Sequence, residues 1–362
     1  RRTAQQLGEL LRRPRLDPRR LERANVSTRP ASIEDVARGA GVSVATVSRA
    51  LRNLPNVAPS TRERVQAVAD ELRYRPDPVA SALAAGRTKT VAMAVPLLDS
   101  WYFSQVMAGA EAVLTQAGYD MLLFAVEGDE RRRRILEGPL VKRADGLILV
   151  DLHVPEDEAA TLLDGEMVVV SVGMQIEGAS SVMVDDFEIA RGAVSHLVEL
   201  GHRRIALIEG LTDDPLRFVV PEERRRGYRA AMADAGIEVS AEYEVAGNFS
   251  MQGGREAMAR LLDLHTPPTA VFAMSDEMAF GVLREVWDRG LRAPADVSVV
   301  AVDDHDFAPV VGLTTVHQEV AEHGARAARL LLEQLDDPDI GVRQELVQTH
   351  FVSRTTTGPP PT

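Results

Sequence analysis

A short segment near the start of the chain, residues 43–51, combines a helix cap with a face of small and basic side chains. Ser43 can cap the helix, and apolar residues recur at the spacing of an inward face. These inward positions are Val47, Ala50 and Leu51; the outward face carries Val44, Ala45, Ser48 and Arg49. Arginine can donate paired hydrogen bonds to guanine, and small apolar groups pack on thymine methyls. The segment therefore predicts a helix that enters the major groove of DNA.

Two further helices are predicted around this segment. The first has Ser32 as its cap and Asp35 in its first turn, and it ends near Gly39-Ala40-Gly41, because glycine tolerates a left-handed backbone. The third is predicted to follow a cap at Ser60. The residues expected to close its small core are Val65, Val68 and Leu72. The order of helices predicts a helix-turn-helix domain, with an ordinary helical hairpin as the alternative.

A fourth, shorter helix is predicted directly after this domain. Asp77 can cap it, Pro78 fits its first position, and Gly86 ends it. Such a short segment is not stable alone in water, so we expect it to fold when a partner supplies contacts. Leu83 on its apolar face would then be a wedge for a minor-groove step of DNA. The alternative is a linker with one buried leucine.

This part of the chain resembles the family of the lactose, galactose and purine repressors. The matching motifs are Asp35-Val36-Ala37, Gly41-Val42-Ser43-Val44-Ala45-Thr46-Val47-Ser48-Arg49, Thr61-Arg62-Glu63-Arg64-Val65 and Tyr74-Arg75-Pro76. By matched position, the resemblance implies base contacts from Val44, Ala45 and Arg49, and a minor-groove wedge from Leu83. The full set of predicted DNA-binding residues is Ser43, Val44, Ala45, Thr46, Ser48, Arg49, Arg52, Asn56, Ala80 and Leu83.

Charge is distributed unevenly along the 362 residues, whose formal net charge is -13. Residues 1–89 hold 18 Lys and Arg against 9 Asp and Glu, whereas the remainder holds 23 against 45. A basic region on an acidic body is expected when only one end of a protein touches phosphates. Residues 1–30 are predicted to form a disordered basic extension, which either adds nonspecific DNA affinity or has no role.

The composition also excludes several kinds of site. There is no cysteine, so disulfides, thiolate zinc sites and cysteine nucleophiles are ruled out. The sequence contains no phosphate-loop, zinc-protease or serine-hydrolase motif, and its eight histidines are scattered. We therefore expect no enzymatic activity, no cofactor and no metal site. Neither an apolar leader nor a run of membrane-spanning length occurs, which predicts a cytoplasmic protein without a membrane partner.

From Thr90 onward, short apolar strands alternate with amphipathic helices. The predicted strands are 91–98, 119–124, 146–150, 205–208, 243–246, 270–273 and 297–302, and the predicted helices are 104–116, 189–200, 222–235, 252–262 and 277–289. This alternation predicts parallel sheets with right-handed crossovers, and the number of strands favours two sheets. The resemblance continues to Arg354 and implies a periplasmic-binding-protein-like body.

The predicted fold class is an all-α helix-turn-helix head and a hinge helix joined to a two-lobed α/β body with parallel sheets. The predicted units are the basic extension (1–30), the DNA-binding domain (31–77), the hinge helix and linker (78–90), and the effector-binding and dimerisation body (91–362). The helix that follows Ser104 is expected to contribute to the dimer interface.

Ligands of open parallel sheets bind beyond the carboxyl ends of the strands. Applied to this body, the rule selects the segments Pro96–Phe103, Gly247–Phe249, Ser275-Asp276 and Asp303-Asp304. The resemblance adds an aromatic pair, an arginine, a stacking ring and a carboxylate for ligand hydroxyls. The predicted effector-binding residues are Tyr102, Phe103, Arg224, Phe249, Ser275 and Asp303. An aromatic surface with an arginine and an aspartate suits a polyhydroxylated ligand.

Each of these residues has a structural alternative. Phe249 could belong to the core, and Arg224 to a solvated helix face. Ser275 or Asp276 could cap the following helix, and for Asp276 the cap is the favoured interpretation. Asp303 could initiate a turn.

Together these observations predict a sequence-specific DNA-binding transcription regulator. By resemblance it is a repressor that binds double-stranded operator DNA as a homodimer. A small-molecule effector, expected to be a mono- or disaccharide, would bind between the lobes and change the DNA affinity. A nucleobase or a phosphorylated metabolite is the alternative ligand. A solute-binding protein of the same body fold is the alternative function.

Overall fold

The structure, a computed structural model, describes residues 31–75, 87–126, 143–165, 167–210 and 219–361, and the single residues 128, 130 and 133. The chain divides into two compact units, residues 1–85 and 86–362. The predicted extension and most of the predicted hinge, with Ala80 and Leu83, lie outside the described residues. Whether those two segments form the predicted extension and hinge therefore stays a prediction.

Three helices form the described part of the first unit: α1 (Ile33–Ala40), α2 (Val44–Leu51) and α3 (Pro59–Glu71). The predicted capping of α1 is confirmed, because Ser32 and Asp35 bond to each other's backbone N–H in a capping box. Gly41 ends α1 in the left-handed conformation, at φ 65°. The buried side chains between the helices are Val36, Ala37, Ala40, Val47, Ala50, Val65 and Ala69. The helix-turn-helix prediction is thus confirmed.

The third helix differs from its prediction at both ends. It begins at Pro59 with Ala58 as its cap, so Ser60 lies inside the first turn. Proline suits that first position because its missing N–H has no partner within the helix anyway. At the other end α3 stops at Glu71, and Leu72 turns out of the helix, where its side chain is 40% exposed. The prediction that Leu72 closes the core is wrong, and Ala69 is the buried residue of the last turn.

The second unit contains two six-stranded sheets. Its elements in chain order are β1 (Thr90–Val95), α4 (Trp101–Gln116), β2 (Asp120–Ala125), β3 (Gly146–Val150), α5 (Glu156–Leu163), β4 (Val168–Val172), β5 (Ser180–Met183), α6 (Asp186–Glu199), β6 (Ile205–Glu209), α7 (Val219–Asp234), β7 (Glu244–Ala246), α8 (Met251–Leu262), β8 (Ala270–Ala273), α9 (Asp276–Asp288), β9 (Ser298–Asp303), α10 (Ala308–Val311), β10 (Thr314–His317), α11 (Val320–Asp336), β11 (Gln344–Leu346) and β12 (His350–Val352).

The order of strands confirms a two-lobed body. The first sheet runs β2-β1-β3-β4-β5-β11 and is parallel throughout. The second runs β7-β6-β8-β9-β10-β12, and only β12 is antiparallel to its neighbour. Parallel strands need helical crossovers, which is why strands and helices alternate along the sequence. In the described part of the chain, none of the helices is long and apolar enough to cross a membrane.

Several element boundaries differ from the sequence prediction. The first strand ends at Val95, because Pro96 has no N–H to donate to the sheet. The next helix begins at Trp101, three residues before the predicted start at Ser104. Strands β4, β5, β10, β11 and β12 and helices α5, α10 and α11 are not among the predicted elements. Strands β10, β11 and β12 complete the two sheets, and the segments that follow β10 and β11 cross between the lobes.

The chain passes between the two lobes three times. Helix α6 follows β5 of the first sheet but packs against α7 and strands of the second. Helix α11 follows β10 of the second sheet but packs against α4 and strands of the first. The third passage joins β11 to β12. The carboxyl ends of the central strands therefore face one another across a cleft, and the connections at residues 183–186 and 317–320 lie beside it.

Two glycines bring α4 and α11 unusually close together. A Cβ atom on Gly324 would lie 1.8 Å from the carbonyl oxygen of Val106, and one on Gly109 would lie 1.8 Å from that of Ala321. No side chain fits such distances without moving one helix. We infer that these two positions determine how closely the C-terminal helix packs on the first lobe.

A pair of glycine substitutions tests this close packing. Gly324→Ala should destabilise the body by about 1–3 kcal/mol, because the added methyl group separates α11 from α4. Gly192→Ala in α6 is the matched control, since nothing lies within 4 Å of its Cβ position. Helix propensity alone should then stabilise the control by roughly 0.5–1 kcal/mol. Scanning calorimetry compares the two variants, and equal effects would reject the close-packing argument.

Candidate functional site

The outward face of α2 is the candidate DNA interface. Ser43 caps the helix by accepting a hydrogen bond from the Thr46 backbone at 3.1 Å, and the two hydroxyls lie 2.9 Å apart. Val44, Ala45 and Arg49 are exposed, and Arg49 has no hydrogen-bond or ion-pair partner among the described residues. These side chains are therefore free to meet base edges, as the sequence predicts.

Other predicted DNA-binding residues have structural contacts of their own. The Arg52 guanidinium donates to the carbonyl oxygen of Ser48 at 3.2 Å and to its hydroxyl at 2.9 Å. Asn56 is exposed in a left-handed turn, at φ 68°. Arg52 thus closes the end of α2 in this state, and contact with DNA would require it to share or exchange these bonds.

The second candidate site is a cavity between the lobes of the body. All six predicted effector-binding residues line it, and they come from both lobes. The cavity is lined by Leu97, Ser100, Tyr102, Phe103, Asp151, Gly173, Val182, Met183, Val184, Asp186, Val220, Arg224, Phe249, Ser275, Glu277, Asp303, Gln318 and His323. These side chains surround about 750 Å³ of space, a figure that includes volume open to solvent.

Arg224 is the central cation of this cavity. It lies four residues before Tyr228 on the buried face of α7 and is only 4% exposed. Its Nε donates to Asp186 Oδ1 at 2.7 Å, and one Nη donates to the carbonyl oxygen of Met274. The alternative of a solvated helix face is therefore wrong for Arg224. Because Gly227 has no side chain, α7 can approach the backbone of Phe187 in α6 closely. This approach brings Arg224 to Asp186.

The strand-end residues of the second lobe form a connected polar network. Asp303, the last residue of β9, accepts a hydrogen bond from the Gln318 side chain at 2.9 Å. Ser275 caps α9 by accepting from the Met278 backbone, so it has a structural role beside the cavity. The prediction of a cap at Asp276 is wrong. Its buried carboxylate instead accepts from the His305 backbone at 2.8 Å and from the Thr315 hydroxyl at 2.7 Å.

The aromatic residues line opposite sides of the cavity. The rings of Tyr102 and Phe103 meet edge to face, with centroids 5.2 Å apart. Phe249 lies on the second lobe, partly packed against its core and partly facing the cavity. A Cβ on Gly210 would lie 2.1 Å from the Phe249 ring, so glycine is required where this ring packs. Phe249 is therefore both a partly buried core residue and a lining residue of the cavity.

Burial gives the ionisable groups of the cavity unusual pKa values. The pKa of Asp151 is raised to about 7, chiefly by burial and also by the nearby Asp186, while Arg224 and a hydrogen bond with Tyr102 act in the opposite direction. Burial also raises the pKa of Asp303 to about 7, against the lowering effect of Arg224. The pKa of His323 is lowered by burial to about 4, so its ring is neutral at pH 7. Perturbed pKa values of this kind are common at functional sites.

The sequence prediction misses several lining residues, and five of them are Asp151, Gly173, Asp186, Gln318 and His323. Asp151 directly follows β3, so the same strand-end rule could have selected it. The other four lie after β4 or at the passages between lobes, where the sequence carries no distinctive signal. Within the described ranges, no group of three or more His, Asp or Glu side chains is suited to a metal ion.

Comparison with known proteins identifies both units. Residues 32–77 match the family model of bacterial regulatory proteins of the lacI family, and residues 194–357 match that of the periplasmic binding protein-like domain. Catabolite control protein A of Priestia megaterium is 34% identical over 84% of this chain and 92% of its own. The HTH-type transcriptional repressor CytR of Escherichia coli is 33% identical over 90% and 96%.

Solved structures agree with these matches along most of the chain. The lac repressor dimer bound to operator and an anti-inducer superimposes with a TM-score of 0.79 at 28% identity, covering 91% of this chain and all of that one. The transcriptional regulator CelR in complex with cellobiose has a TM-score of 0.64 at 32% identity, covering 90% and 99%. This chain belongs to the lacI family of bacterial regulatory proteins.

Proposed function

We propose that this repressor binds a two-fold symmetric operator as a homodimer, and that a sugar bound between the lobes controls this binding. One observation carries the effector half of the proposal, namely the convergence of six predicted residues from both lobes on one cavity. A solute-binding protein of the same body fold would leave residues 32–77 without a role. The similar proteins of known name are regulators and not enzymes.

The chemistry of the cavity supports a polyhydroxylated ligand. The aromatic rings can cover the apolar face of a sugar, while Arg224 and Asp303 hold hydroxyl groups. The regulator CelR was solved with cellobiose, which supports a carbohydrate here as well. Because the cavity is lined from both lobes, a ligand that contacts both would change their relative arrangement.

The described part of the head supports binding through α2. Its exposed residues would enter the major groove, and the segment with Ala80 and Leu83 would fold against the minor groove as a hinge helix. The lac repressor was solved as a dimer on its operator, which supports two heads on two half-sites here. We place the protein in the cytoplasm, where it meets chromosomal DNA. We place the boundaries between its structural units after residues 30, 77 and 90.

Selection from a random DNA library tests the proposal as a whole. The purified full chain should retain a two-fold symmetric motif at near-physiological salt. Addition of mono- and disaccharides, one at a time, should then change the affinity for that motif in at least one case. An unsymmetrical motif bound by a monomer would contradict the dimeric arrangement. A symmetric motif whose affinity no sugar changes would contradict the effector class alone.

Arg49→Ala should weaken binding to the selected operator by about 1–3 kcal/mol, because it removes the free guanidinium from the outward face of α2. Binding to unrelated DNA should change much less, since most phosphate contacts remain. Arg38→Ala is the matched control, an exposed arginine of α1 that is paired with Asp35. Fluorescence anisotropy measures both affinities. Equal losses on both DNAs would assign Arg49 to a phosphate and not to a base.

A further inference from the structure

The described lining of the cavity carries more acidic than basic side chains. Its acidic lining residues are Asp151, Asp186, Glu277 and Asp303, and Arg224 is the single cation among the described lining residues. Arg224 already donates to Asp186 and to a backbone carbonyl. The Gln318 amide donates to Asp303, and the Ser100 hydroxyl donates to Glu277 at 3.1 Å. The protein thus uses the Gln318 and Ser100 donors on its own acceptors, whereas Arg224 uses only two of its five N–H groups in this way and the others stay available to a ligand.

Three polar atoms of the lining residues have no hydrogen-bond partner among the described residues. Two are the acceptor oxygens Asp151 Oδ1 and Gln318 Oε1, and the third is His323 Nε2, which donates or accepts according to its tautomer. The exposed fraction of Asp151 is 7%, and that of Gln318 is 2%. Buried polar atoms of native proteins are nearly always paired, so unpaired ones beside a cavity indicate that a ligand completes them. A ligand that donates hydrogen bonds would satisfy these oxygens.

Asp151 is held in place at some cost to the fold. Its backbone is left-handed, at φ 47°, which is strained for a residue with a side chain. Gly173 makes room for the carboxylate, because a Cβ there would lie 1.7 Å from Asp151 Oδ1. The carboxylate is also close enough to Asp186 to feel its negative charge, which Arg224 and the Tyr102 hydroxyl offset only in part, because the pKa of Asp151 is still raised. Strain, burial and like charge together are unfavourable unless a ligand compensates for them.

Hydroxyl groups alone would satisfy the unpaired oxygens but would not neutralise the excess negative charge. A protonated amine does both, because it donates up to three hydrogen bonds and carries a positive charge. A phosphate or carboxylate on the ligand would meet repulsion from the acidic lining. The remaining surface, with its aromatic rings and with Asp303, suits a hydroxylated ring.

We propose that the effector is an amino sugar, or a hydroxylated ring of similar size, whose ammonium group binds between Asp151 and Gln318. This inference rests on the proposed function and specifies the ligand of the same cavity. It makes Asp151 the residue that distinguishes amino from neutral sugars. It also explains why Gly173 stands opposite Asp151, where any larger residue would displace the carboxylate.

A matched ligand panel tests the assignment. Glucose, galactose and mannose are each compared with their 2-amino-2-deoxy and 6-phosphate forms, by titration calorimetry with the full chain at pH 7.5. At least one amino sugar should bind ten times more tightly than its parent, and the phosphates should bind more weakly than the parent. Asp151→Asn should reduce the amino preference to within about twofold. Asp164→Asn, an exposed acid of the same lobe, should leave it unchanged.

A second measurement on the unmodified protein guards against a misfolded variant. Lowering the pH from 8 to 5.5 should reduce the preference for the amine, because the site then carries fewer negative charges. Neutral sugars that bind as tightly as their amino forms would overturn the ammonium site and leave the sugar effector standing. Binding of the phosphates alone, or of no member of the panel, would overturn both.

Discussion

Replacing Arg224 with methionine should abolish the response of DNA binding to the effector and should also destabilise the body. The guanidinium is buried and bonds to Asp186 and to the carbonyl oxygen of Met274. Removing it leaves a buried carboxylate without its partner, which typically costs about 3–5 kcal/mol. The ligand loses its only cationic contact among the described lining residues, so we expect its affinity to fall at least a hundredfold, or by ~3 kcal/mol. Calorimetry and ligand titration measure the two effects.

Two further variants separate the structural effect from the binding effect. Arg226→Met changes the arginine two positions further along the same helix. It removes a guanidinium that is 59% exposed and paired with Glu223. An exposed pair of this kind contributes roughly 0–1 kcal/mol, so stability and response should both survive. The double change Arg224→Met and Asp186→Leu removes both buried charges and should recover much of the stability without the response. A double variant that responds normally would show that Arg224 does not contact the effector.

The second large effect concerns the dependence of stability on pH. The pKa of Asp151 is about 7 in the folded protein, well above its ordinary value of 3.8, chiefly because the group is buried. Between these two values the folded state holds a proton that the unfolded state has released. Stability from this group is therefore lost as the pH rises from about 4 to about 7, at roughly 1.4 kcal/mol per pH unit.

Asp151→Asn removes that dependence, so the variant should become more stable than the unmodified protein by an amount that grows with pH. The comparison must be a difference, because the pKa of buried His323 is lowered to about 4 and its contribution rises between pH 4 and 6.5. That contribution is shared by both proteins and cancels. Urea unfolding at pH 5, 6 and 7.5 gives the three differences. A constant difference would mean that Asp151 ionises normally in the folded state.

The head shows how well local interactions can be predicted. The caps at Ser32 and Ser43 and the turn at Gly41 involve partners within five residues, so their sequence neighbours alone decide them. The errors lie where two local signals compete. Both Pro59 and Ser60 can start α3, and the proline at the first position prevails. Leu72 matches the apolar spacing of the helix but lies one residue beyond its end.

The body shows where local reasoning ends. Strand-end placement predicts Asp303, and it would have selected Asp151, because Asp303 is the last residue of a buried strand and Asp151 directly follows one. Arg224 has the same charge and helix as its exposed neighbour Arg226, and the packing of α7 on α6 distinguishes them. Helical spacing from Tyr228 and Ala231 puts Arg224 on the inward face, but the sequence cannot show that it meets Asp186 there.

Composition and periodicity by themselves determined that the chain has a basic helical head and an acidic body of alternating strands and helices. Those properties depend on residues within a few positions of one another. The assembly of the cavity was decided only by the tertiary structure, because Asp151, Arg224 and Gln318 come from distant segments and both lobes. The chain crosses between the lobes three times, and the side chains beside those crossings meet only after both sheets have formed. Their burial, and hence their raised or lowered pKa values, follows from that packing and from no local pattern.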